Sequence, residues 1–211
     1  MNKPTVGFVP KEYPKGNITQ FFGENSKMYA RFDLKGHNGI DIVAEWDSPL
    51  FAVEAGTIVD VKREPDGFGR HIRLLGKEKN KLCNLWVYGH CEQLLVKPGD
   101  TVKAGQKIGT MGNTGFVVSS QVASSWWGTT PTQTHPGTHL HLGLRKAKLN
   151  SKGFKYSAGP KIEILNYENG YKGSIDPMPE FGIEPDVASL EMQVSLLQKV
   201  LELYKQLRKT T

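Results

Sequence analysis

The chain has 211 residues, of which 38% are apolar and 9% aromatic, and it carries a net charge of +6 at pH 7. That length fits one generous domain, or one domain with an appendage, and the absence of any run of about 18 apolar residues excludes a membrane-spanning helix. The positive balance favours polyanionic surroundings or simply a solubilising surface, and charge alone does not choose between them; the lysines are scattered and no nucleic-acid-binding motif occurs, so nucleic acid is not an expected partner.

Residues 1–35 read as irregular, because Pro4, Pro10, Pro14, Gly16 and Gly23 break any long element, although Ile18–Phe22 fits a first short strand. From 36 to 145 the pattern is mainly β. Thr57–Lys62 alternates, Arg70–Leu74 follows the turn Asp66-Gly67-Phe68-Gly69, and Leu82–His90 sets Leu85 and Val87 against Trp86 and Tyr88. Cys83 and Cys91 fall on what reads as one strand. An extended backbone would hold them about 26 Å apart, where a disulfide needs Cα atoms within about 7 Å, so both are expected free. Residues 116–137 read as a long Ser/Thr-rich loop carrying Trp126 and Trp127, and 150–181 return to strands and turns.

The last stretch differs in kind. After a cap at Asp186, apolar residues at Val187, Leu190, Val194, Leu197, Leu201 and Tyr204 keep heptad spacing, with Leu196, Val200, Leu203 and Leu207 beside them. The expected fold is therefore a mainly β, antiparallel sheet or sandwich domain with long loops over 1–183 (motif-bearing core 17–181). A C-terminal amphipathic α-helix over 184–211 is expected to follow. That helix either docks on its own domain or, as the favoured reading, makes the protein a homo-oligomer.

The chemistry sits on histidines. On a strand, His139 and His141 share one face about 7 Å apart. His37 and Asp41 stand in a His-x-x-x-Asp spacing around Gly39. With His141 they offer two imidazole nitrogens and one carboxylate oxygen, leaving a fourth position for water, which is the composition of an open, catalytic zinc site. No His-Glu-x-x-His occurs, so a base must come from elsewhere, and His90 and His139 are the candidates. His71 reads as a structural strand residue and His135 as a loop histidine. Trp126 and Trp127 either line a groove or pack on the sheet, and Asn38, next to a ligand, is placed to position substrate.

Four stretches together resemble the lysostaphin-type (LytM-like) zinc metallopeptidases. They are Gly36–Ile42, Tyr88-Gly89-His90, the run Pro98–Gly115, and His139-Leu140-His141, with Ile175–Pro179 similar to the segment that closes such domains. The resemblance implies one zinc ion per subunit on His37, Asp41 and His141, and a catalytic pair of His90 and His139. It also implies endopeptidase action on the peptide part of bacterial peptidoglycan. Lys97–Gln106 also looks like the hammerhead turn of biotinyl and lipoyl carrier domains, and is read as architectural. The N-terminus has no long apolar stretch and does not read as a secretory signal. The expectation is thus a phage-type enzyme, released at lysis or carried on a virion, with a wall-binding or virion assembly module as the alternative.

Overall fold

The computed structural model of the protein describes residues 1–5, 8, 17–119, 122–126 and 135–182, with backbone only for 118–119 and 122–126. The chain divides into two units, Met1–Pro177 and Met178–Thr211. In the second, the described element is a 3₁₀ turn at Met178–Phe181.

The first unit is built on a nine-stranded sheet. Its members are β1 (Ile18–Gln20), β2 (Ile40–Ile42), β4 (Gly56–Arg63), β5 (Arg70–Gly76), β6 (Cys83–Gly89), β8 (Thr101–Val102), β12 (Leu140–Lys155), β13 (Lys161–Ile164) and β14 (Ser174–Ile175). The spatial order is β1-β2-β12-β6-β5-β4-β8, with β13 and β14 also paired to β12, and every pairing is antiparallel. A three-stranded sheet of β3 (Pro49–Phe51), β9 (Lys107–Met111) and β7 (Cys91–Leu94) accompanies it, and β10 (Phe116–Ser119) pairs with β11 (Val122–Trp126).

Alternation decides what each sheet face does. Ile40, Leu142, Tyr88 and Ile72 are successive cross-strand partners and are all fully buried. They meet the smaller sheet: the Tyr88 hydroxyl accepts a hydrogen bond from the Val53 amide at 2.9 Å, and a methyl added at Gly109 would lie 3.3 Å from Ile72. This apolar layer is the core. The opposite face presents Asp41, His141 and Gly89 as the adjacent set of partners, and there the site is built.

The run Lys97–Gln106 folds as turns around the short strand β8. The Asp100 carboxylate accepts from the Lys97 amide and the Gln106 side chain from the Lys103 amide, which closes two tight turns.

The expected fold class is corrected in its helical part. The α-helix that is described is Ser26–Tyr29 (α1), continued by a 3₁₀ turn at Ala30–Phe32, within a stretch read as irregular. Between Asn25 and Phe32 there is neither proline nor glycine, so nothing there prevents a turn of helix. The C-terminal amphipathic helix expected over 184–211 is not part of the described fold, and that segment lies outside the described residues. Heptad spacing says which face a helix would bury, but it does not provide a surface to bury it against.

Two further differences are local. The stretch read as one long loop contains β10 and β11, which pair antiparallel. Cys83 and Cys91 are free and buried, but they lie on separate strands of separate sheets, because the backbone turns at His90 between them.

Candidate metal centre and its histidine pair

β2 and β12 are neighbours with Asp41 directly opposite His141, so their side chains stand together on the open face. His37 arrives from the loop before β2. The His37 Nε2, His141 Nδ1 and Asp41 Oδ1 atoms form a triangle with edges of 2.9, 3.1 and 3.2 Å. Tetrahedral zinc with bonds of about 2.0 Å sets its ligand atoms about 3.3 Å apart, so the triangle has the right size. The donor set of two imidazole nitrogens and one carboxylate oxygen fits as well, and the three residues form a buried cluster able to hold a metal ion.

Electrostatics prepares those donors. Burial, ahead of the neighbouring charges, lowers the His141 pKa to about 4, so at neutral pH the ring keeps a lone pair to offer. Burial alone would raise the Asp41 carboxyl. The surrounding imidazoles of His139, His141 and His37 outweigh it and hold the group well below the usual carboxylate range. His37 Nδ1 lies 3.2 Å from the Phe21 carbonyl, which can only accept, so that nitrogen carries the proton and Nε2 is the free donor. Gly39 is required by close approach: a Cβ there would come within 2.7 Å of the His141 ring.

His90 and His139 come together beside this cluster, with ring centroids 4.5 Å apart. His139 Nε2 lies 3.7 Å from Asp41 Oδ2. One backbone group braces the two histidines: the Gly112 amide donates to the His90 carbonyl at 2.9 Å, and the Gly112 carbonyl accepts from the His139 amide at 3.2 Å. His90 sits at the corner between β6 and β7 with φ of +60°, a left-handed conformation that a non-glycine residue adopts at a cost. Burial, followed by the neighbouring His139 and His141, pushes its pKa well below the ordinary histidine value.

The other sequence-chosen residues fall differently. Asn38 is buried and lines the cavity beside the cluster, whereas His135 stacks on Trp46, with ring centroids 4.0 Å apart, and does not line it. His71 is buried on β5, bonded through Nδ1 to the Gly69 carbonyl at 3.0 Å, with no partner at Nε2 among the described residues. Trp127 lies outside the described residues, and Trp126 is described by its backbone alone, which ends β11.

Three participants were not chosen from sequence. Tyr29 of α1 stacks on His37 with centroids 5.3 Å apart, and burial raises its pKa, so the phenol stays protonated. Thr114 holds His90 through its carbonyl, 2.7 Å from Nδ1, and ties the Cys91 carbonyl to the Arg70 amide through its hydroxyl. Arg145 lines the same cavity. Only Arg145 left a readable signal, since alternation along β12 from His141 through Gly143 puts it on the site's face.

The model of Peptidase family M23 matches residues 35–153 of this protein. The uncharacterized lipoprotein YgeR of Escherichia coli (strain K12) is 40% identical over 79 residues, which are 37% of this chain and 30% of that protein. The glycyl-glycine endopeptidase ALE-1 of Staphylococcus capitis is 38% identical over 80 residues, 38% of this chain and 21% of its own. Among solved structures, the catalytic domain of the antimicrobial peptidase lysostaphin from Staphylococcus simulans aligns with 71% of this chain and 81% of its own, at 25% identity and a TM-score of 0.46. The matched stretch is less than a third of either curated relative.

Proposed function

We propose a function from one established premise, that this chain belongs to peptidase family M23: it is a zinc-dependent endopeptidase that cuts peptide bonds of bacterial peptidoglycan. The catalytic unit is taken as residues 1–183, with its motif-bearing core at 17–181. His37, Asp41 and His141 would hold one zinc ion, and when bound the ion supplies Lewis acidity that polarises a carbonyl and acidifies water at neutral pH. His90 and His139 handle the protons. A backbone carbonyl accepts a hydrogen bond from Nδ1 of each, Thr114 for His90 and Gly137 for His139, both at 2.7 Å, which leaves Nε2 as the working nitrogen in both rings. Burial keeps the His90 ring neutral at physiological pH, so its nitrogen lone pair stays available beside the cluster. Apolar walls around the cluster keep the reacting groups in a low dielectric, where each hydrogen bond counts for more.

The observation that carries this reading is the pairing of His90 and His139 against the three-residue cluster, with Asp41 touching both groups. The test is a zymogram on purified bacterial walls with the zinc content of every protein measured. Wild type clears the wall; His139→Ala and His90→Ala keep zinc and lose activity by about 10²-fold or more. Asp41→Ala loses the metal itself. Equal clearing by wild type and His139→Ala, or no clearing by a zinc-loaded protein, favours the wall-binding or virion assembly module instead.

A further inference from the structure

His141, Gly143 and Arg145 occupy alternate positions of β12 and therefore share one face of the sheet. Gly143 has no side chain to stand between the other two, and even an added Cβ would remain 3.4 Å from His141 Nε2. A cavity of about 250 Å³ occupies this side of the sheet, and His90, His141, Arg145 and Lys172 are among the residues that line it. Phe32, Leu34, Phe68 and Phe116 make its walls apolar, and among the described residues no aspartate or glutamate lines it.

Arg145 is buried, at 8% exposure, yet it makes no ion pair with a carboxylate among the described residues. Its Nε donates to the Ser174 hydroxyl at 3.3 Å. The neighbouring cation shows what is missing: Arg73 has the Asp60 carboxylate at 2.9 Å, and Arg145 has no such counterpart among the described residues. Lys172 donates to the Phe32 carbonyl at 2.8 Å, which positions its ammonium without neutralising it. Arg31 adds a third positive group, lying over the Phe32 and Phe116 rings. A buried, uncompensated guanidinium is costly unless an anion completes it, and its planar fork matches a carboxylate better than any other anion found on peptides.

We propose that Arg145, supported by Lys172, is the carboxylate-recognising end of the substrate cleft, so that the peptides cleaved carry a free carboxylate near the scissile bond. This rests on the peptidase reading above. Four strand positions separate His141 from Arg145, a span of about 13 Å, so the carboxylate falls within about four residues of the cut in an extended peptide. Both an acidic side group and the C-terminus of a peptide supply that chemistry.

The test uses the zinc-loaded protein and cross-linked peptides excised from bacterial wall in three matched forms: all carboxylates free, those on side groups converted to amides, and the C-terminus alone amidated. Mass spectrometry gives kcat and KM, and calorimetry gives binding. Wild type favours the free acid by about tenfold or more in kcat/KM, mainly through KM, and the amidated form that loses this preference identifies the source of the carboxylate. Arg145→Gln brings the acid-to-amide ratio close to one, Arg145→Lys restores part of it, and Lys172→Gln lowers it severalfold. Should Arg145→Gln fail to fold, the other two variants decide. A wild type indifferent to amidation, or variants with the wild-type ratio, overturns the carboxylate site while leaving the peptidase reading in place. If no peptide is cut, the peptidase reading falls, and calorimetric discrimination of acid from amide by wild type and Lys172→Gln alone judges the subsite.

Discussion

Backbone carbonyls set the state of the histidines. The carbonyls of Phe21, Thr114 and Gly137 accept hydrogen bonds from Nδ1 of His37, His90 and His139 respectively, and so leave Nε2 as the working atom in all three. His141 is the exception, turning Nδ1 toward Asp41 and His37. His71 follows the majority pattern through the Gly69 carbonyl but has no partner at Nε2 among the described residues, and burial lowers its pKa below the ordinary 6.5. The unfolded protein therefore takes up a proton near pH 6.5 that the folded protein refuses. Stability from this group is complete above that pH and is lost as the pH falls toward the depressed folded value. His71→Asn keeps a donor for Gly69 and does not titrate. Urea denaturation at pH 7.5 and 5.5 is expected to show a shallower acid loss in the variant, by at most about 1.4 kcal/mol per pH unit. Equal slopes would mean that His71 is not held neutral.

At the scale of elements, the site is an alignment of pieces from both sheets. β12 fixes His141 against Asp41 of β2, while His90 occupies the corner where the backbone leaves β6 for β7. Gly112, directly after β9, holds His90 and His139 together by backbone bonds alone. A Cβ at Gly112 would stand 2.7 Å from the Glu92 amide nitrogen, so Gly112→Ala must push this brace aside. The expected result is a zinc content equal to wild type and a kcat reduced by about 10²-fold, since a displacement near 1 Å is enough for that loss. Loss of zinc in step with activity would show that the brace serves the cluster rather than the pair.

For the molecule as a whole, the His37–Asp41–His141 cluster joins β2, β12 and the loop carrying His37, so a metal bound there would be linked to folding. Chelation is expected to lower the thermal midpoint of wild type, and zinc at about 100 times its Kd to restore about 2.7 kcal/mol. Asp41→Ala should show neither response, and a midpoint insensitive to chelator in wild type would break the link. The β pattern, the free cysteines and the choice of His37, Asp41, His90, His139 and His141, which the fold brings together, were all readable in the sequence by itself. Strand alternation and short motif spacings are local, and they are written in the order of residues. Tyr29 on a helix of four residues, the antiparallel pairing of β10 with β11, the brace at Gly112 and the lack of a carboxylate beside Arg145 among the described residues were not legible in that order. Each depends on which distant strand or loop lies opposite, and only the tertiary structure decides that.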